Sequence, residues 1–128
     1  MLQLAYMSAS TPMSPDVFTL SKQASPRNFA EEITGILLHR NGHFLHIIEG
    51  PKEYVEDLFL RIIGDYRHQN LNLLFRKIVT GRQYGTSSMM TPRDRNYQNE
   101  TIRVVKRSMT CAAHDIKISF ESIFGPAI

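Results

Sequence analysis

The chain has 128 residues, 42% of them apolar, enough for one core of ordinary size. Fifteen Lys and Arg against twelve Asp and Glu give a formal charge of +3, too weak to argue for nucleic acid as a partner. No apolar run approaches the roughly 20 residues of a membrane span, and one cysteine allows neither an intrachain disulfide nor a cysteine-based zinc site, so a cytoplasmic protein is expected.

Leu2, Leu4 and Tyr6 alternate with Gln3, Ala5 and Met7, the period of a strand. A helix is predicted over 15–23: Ser14 can cap, Pro15 suits the first turn, and Val17, Phe18 and Leu20 point inward. It should end before Pro26, whose ring disfavours a helical residue ahead of it. Residues 33–39 and 44–48 flank Asn41-Gly42, a strong hairpin signal because a type I′ turn needs two positive φ angles. Both strands are apolar at odd and even positions, so both sheet faces must be covered. A helix then opens at Pro51 with Val55, Leu58, Phe59, Ile62 and Ile63 at the spacing of one buried stripe and stops near Asp65. Residues 71–79 and 83–90 read as two more strands. The order is β-α-β-β-α-β with an extra strand: an α+β, ferredoxin-like fold with both helices on one face. The apolar residues of 92–128, Ile102, Val105, Phe120 and Phe124 among them, suffice to cover the other face as C-terminal helices. The net +3 resides in 92–107 (Arg93, Arg95, Arg103, Lys106 and Arg107 against Asp94 and Glu100), which reads as a solvated stretch.

No phosphate loop, nucleophile elbow or paired metal-protease histidines occur, which argues against an enzyme. His39, His43 and His46 are close in sequence, but a two-residue loop at Asn41-Gly42 pairs Arg40 with His43, His39 with Phe44 and Leu37 with His46. That leaves at most two imidazoles on one face where a metal wants three or four ligands, so no metal site is expected. His46 falls among apolar residues and requires a partner, either as a core histidine bonded to a backbone carbonyl or to Tyr6, or as a group facing a ligand.

Several motifs agree in order and spacing with one family. They are Leu4-Ala5-Tyr6-Met7-Ser8, Asn28 five residues before Ile33-Thr34-Gly35-Ile36-Leu37-Leu38, Phe44-Leu45-His46-Ile47-Ile48-Glu49-Gly50-Pro51, Ile63-Gly64-Asp65-Tyr66-Arg67-His68, and Arg82-Gln83-Tyr84 through Ser88-Met89. Over about residues 2–90 the chain resembles the blue-light sensors using FAD, the BLUF domains. The resemblance implies a flavin-binding core over 1–91, with 92–128 packing on the sheet as part of the same domain. It implies FAD or FMN between the first two helices, contacted by Asn28, Arg27, His46, Asp65, Arg67 and His68. It also implies a switch formed by Tyr6, the residue at His46 and Met89.

Two departures fall on that switch. Where the family has a glutamine whose amide rearranges, this chain has His46, whose one donor and one acceptor are fixed at opposite ends of a ring and cannot perform the same exchange. The last-strand tryptophan of the family falls on Ser87. A histidine that protonates beside a flavin would make the domain respond to redox state or pH instead. The expectation is therefore a flavin-binding sensory domain that signals through an unidentified protein partner or its own homo-oligomer, contacted through the basic stretch and apolar tail. The alternative is a cofactor-free interaction module of the same fold.

Overall fold

The computed structural model describes residues 1–84 and 90–125. They form β1 (Leu2–Ser10), α1 (Val17–Ala30), β2 (Thr34–Arg40), β3 (His43–Gly50), α2 (Lys52–Ile63), β4 (His68–Ile78), α3 (Arg95–Ser108) and α4 (His114–Phe124). The strands pair antiparallel in the order β2-β3-β1-β4, the ferredoxin-like arrangement expected from the sequence. Asn41 and Gly42 both take positive φ, 52° and 75°, and the hairpin register is the expected one, with Leu37 opposite His46 and Arg40 opposite His43. Gly35 is demanded by proximity: a Cβ there would stand 2.0 Å from the carbonyl oxygen of Ile47 on β3.

The sheet separates two apolar layers. Leu2, Leu4, Tyr6, Ile33 and Ile48 pack against Val55, Leu58, Phe59 and Ile62 of α2, and Leu37 and Phe44 pack against Val17, Leu20 and Ala24 of α1. Ala5, Met7, Ile36, Leu45 and Ile47 face the opposite way, onto Ile102, Val105, Phe120 and Phe124 of α3 and α4. The two C-terminal helices therefore cover the second face, as β2 and β3 required. Arg40 ties them to the hairpin by donating to the Phe124 carbonyl (3.2 Å) and the Gln98 side chain (3.1 Å).

Four expectations need correction. The first helix starts later and runs further than 15–23. Asp16, not Ser14, caps it, its carboxylate accepting from Phe18 N and Thr19 N at 3.0 Å each. Pro26 lies inside the helix and does not end it; the carbonyl it deprives of a donor belongs to exposed Lys22, where water can replace the lost bond. Phe18 and Ile63 are not inward members of their stripes, being 40% and 54% exposed, and the Phe18 ring instead lies under the Arg93 guanidinium at 3.8 Å. The fourth strand begins at His68, three residues before the expected start, because it follows β1 almost along its full length. Of the expected strand over 83–90, Gln83 and Tyr84 are not in a strand and 85–89 lie outside the described residues. Met90 bridges Ile36 in parallel, donating to the Gly35 carbonyl and accepting from Leu37 N.

Candidate functional site

Between α1 and α2, above the sheet, lies a cleft of about 450 Å³, within the range of small-molecule sites. Its apolar walls are Leu20, Ala24, Leu37, Phe44, Leu58 and Ile62, and its polar groups come from several elements. Asn28, 1% exposed on the last turn of α1, lines it, and its main chain is fixed by the Ile33 N–H at 2.8 Å.

At the floor, Tyr6 of β1 stands directly opposite His46 of β3, so register alone puts the two side chains on the same face. The Tyr6 hydroxyl and His46 Nδ1 are 2.9 Å apart, both residues being buried, and the rings meet edge to face. Of the two partners considered for a core histidine, Tyr6 and not a backbone carbonyl is the one bonded to His46. The other ring nitrogen, Nε2, is buried with no partner among the described residues. Burial pushes the His46 imidazole down to about 3, with the nearby His68 pushing the same way, and burial likewise raises the Tyr6 phenol well above its usual value. Both shifts favour the neutral forms of the two side chains.

At the rim, Asp65 and Arg67 engage each other. The Arg67 guanidinium donates through Nε to both carboxylate oxygens at 3.0 Å and through a terminal nitrogen at 2.6 Å, and the Arg67 main-chain N–H adds a bond at 2.9 Å. That arginine holds the Asp65 carboxyl below its ordinary range. The Ser14 and Thr11 hydroxyls donate to the Arg67 carbonyl, docking the β1–α1 loop on this turn. His68 donates from Nε2 to the Ile62 carbonyl at 2.7 Å and sets its ring 6.0 Å from that of Tyr6.

Tyr6, Asn28, His46, Asp65, Arg67 and His68 thus converge on one cleft. Arg27 does not line it; its side chain is 61% exposed and bonded to Glu31 one helical turn away. Met89 lies outside the described residues. Gln23 and Arg61 line the cleft without having been singled out. Gln23 shares a helix face with Leu20, Ala24 and Asn28, a pattern hidden by the assumption that the helix ends at residue 23. Arg61 reads as the solvated edge of an apolar stripe, yet it reaches across to Glu31 at 3.5 Å while donating to Asp57 at 2.9 Å.

The model of the family described as BLUF, sensors of blue-light using FAD, matches residues 1–90. The photoactivated adenylate cyclase subunit beta of Euglena gracilis is 39% identical over 90 residues, which cover 69% of this chain and 10% of that protein. A solved bacterial light-regulated adenylyl cyclase superposes with a TM-score of 0.70 at 27% identity, over 93% of this chain and 36% of that one. Klebsiella pneumoniae BlrP1, solved with FMN and cyclic diGMP, gives a TM-score of 0.68 at 28% identity, over 94% and 34%. The chain spans about a tenth of the length of the cyclase subunit it matches. With the family model accounting for every strand among the described residues and for both helices that wall the cleft, the chain belongs to the BLUF family.

Proposed function

We propose that this chain is a flavin-binding sensory domain with the isoalloxazine ring in the cleft between α1 and α2. The observation that carries the reading is the buried, unpartnered Nε2 of His46 in the wall of a cleft that is otherwise mostly apolar. A buried polar atom without a partner costs stability unless something supplies one. A flavin ring combines broad apolar faces with a polar edge, which fits these walls, and bound flavin supplies the absorption of blue light. In this reading Asn28 and His46 hold the polar edge, and Asp65, Arg67, His68 and Arg61 flank the end from which the ribityl chain leaves. Either FAD or FMN meets these requirements.

Tyr6 and His46 keep a hydrogen-bonded path from the phenol to the cleft. His46 lacks an amide that can turn, so the glutamine-type exchange is unavailable to it. The response to light is accordingly weak or absent, although binding is retained. Output passes through a protein partner or a second copy, contacted by the segment from residue 92 onward. Arg93 of that segment lies over the Phe18 ring of α1, and just ahead of it the Met90 carbonyl accepts from the N–H of Leu37, a residue of the cleft wall. No helix among the described residues is long and apolar enough to cross a membrane.

An absorption spectrum of the purified protein, before and after blue light, tests the reading. Yellow protein that releases flavin on denaturation supports it. Colourless protein that takes up neither FAD nor FMN overturns it in favour of a cofactor-free interaction module. A reversible red shift would show that His46 does support the family response. If there is none, His46→Gln asks whether the missing amide is the sole obstacle.

A further inference from the structure

The pairing of Tyr6 with His46 fixes where the imidazole hydrogen sits. A neutral imidazole carries one hydrogen, on Nδ1 or on Nε2, and Nδ1 shares its bond with the Tyr6 hydroxyl at 2.9 Å. With the hydrogen on Nε2, the Tyr6 hydroxyl donates to Nδ1, and only Nε2–H lacks a partner among the described residues. With the hydrogen on Nδ1, that N–H donates to the Tyr6 oxygen. The phenolic hydrogen then has no acceptor, since Nδ1 is the hydroxyl's sole partner among the described residues, and Nε2 remains bare. One arrangement strands one polar group and the other strands two. Each stranded group in the interior is costly, so the first prevails.

We infer that Tyr6 locks His46 as the Nε2–H tautomer, making it a fixed donor that selects the oxidised over the two-electron-reduced flavin ring; this rests on the flavin reading above. The oxidised ring has only acceptors at its central-ring nitrogens and the neighbouring carbonyl. Two-electron reduction places a hydrogen on the central-ring nitrogen beside that carbonyl, turning an acceptor into a donor. Two donors then face each other unless His46 changes tautomer, and that change strands the Tyr6 hydrogen. A glutamine escapes the conflict by rotating its amide, whereas the ring is held by its edge-to-face contact with Tyr6 and by burial, at 5% exposure.

Two measurements test this, one with flavin and one without. In the flavin-free protein, imidazole 15N shifts should put the His46 hydrogen on Nε2. Titration with oxidised FAD and with dithionite-reduced FAD under anaerobic conditions should give at least tenfold tighter binding of the oxidised form. Equivalently, the bound midpoint potential should lie about 30 mV or more below that of free flavin. Tyr6→Phe makes the two tautomers strand equal numbers of groups, so the preference should shrink to less than threefold. His46→Gln should shrink it too. A hydrogen on Nδ1, equal affinities for the two forms, or a preference unchanged in Tyr6→Phe would each overturn the inference. If neither form binds, the flavin reading and the selectivity fall together, while the 15N result still reports on the lock by itself.

Discussion

The backbone N–H of Tyr84 donates to Glu49 Oε1 at 2.7 Å, and Glu49 is a carboxylate with no exposure at all. The same carboxylate accepts from Gln83 N on both oxygens (3.0 and 3.1 Å), from Gln3 Nε2 at 3.0 Å and from Thr34 Oγ1 at 3.2 Å. Donors from β1, from β2 and from the strap at 83–84 thus meet on one side chain of β3, three residues along from His46. A buried carboxylate is tolerated only when its lone pairs are satisfied in this way.

Glu49→Gln keeps the shape of that side chain but turns an NH2 group toward backbone N–H donors. Loss of about 1–3 kcal/mol is expected, the range for leaving buried donors unsatisfied. The urea midpoint should fall, and the amides of Gln83 and Tyr84 should exchange with deuterium faster than those of β3. An unchanged midpoint would mean that the strap is held by other contacts, such as Arg82 on the Glu32 carbonyl at 2.7 Å.

The buried imidazole gives stability a defined dependence on acid. Its pKa in the folded state is about 3, against about 6.5 for an unfolded histidine, so the unfolded chain binds the proton first. The contribution of His46 is therefore complete above about pH 6.5 and declines as pH falls toward 3, by up to about 1.4 kcal/mol per pH unit. Urea titrations at pH 7, 6, 5 and 4 should show wild type losing stability more steeply than His46→Gln. Parallel curves would mean that the ring is already solvated in the folded state.

Gly35 and Gly64 should respond oppositely to the same substitution. Gly35→Ala forces a Cβ onto the Ile47 carbonyl oxygen, and separating β2 from β3 should cost more than about 3 kcal/mol or prevent folding. At Gly64, φ is −82° and the nearest atom to an added Cβ is 3.8 Å away. Gly64→Ala should raise stability by about 0.4–1 kcal/mol through the unfolded chain. Thermal melting of the two variants distinguishes them, and a tolerated Gly35→Ala would contradict the close strand approach.

The features most legible in the sequence were those set by short-range pattern. Asn41-Gly42 fixed the hairpin register, the register put Leu37 opposite His46, and the two-sided apolar character of β2 and β3 required a cover that α3 and α4 supply. The path of α1 was less legible, because Pro26 is a strong local stop signal that an exposed helix surface can absorb. With the last turn of α1 went the placement of Gln23 beside Asn28 and the exposure of Arg27. Glu49 stood in a quoted motif without a role. A single acidic residue in an apolar strand gives no hint of its donors, since two of them are backbone N–H groups more than thirty residues away.

Leu37 belongs to two structures at once. Its side chain is part of the cleft wall, while its backbone N–H is spent on the Met90 carbonyl at 2.8 Å, four residues before Asp94 caps α3. A displacement of that wall therefore pulls on Met90 directly: either Met90, four residues ahead of the α3 cap, travels with β2 or the bond breaks. Met90 is held to β2 by two bonds, its N–H to the Gly35 carbonyl and its carbonyl to Leu37 N, so a shift of the cleft wall reaches the start of the C-terminal segment without any core contact having to break.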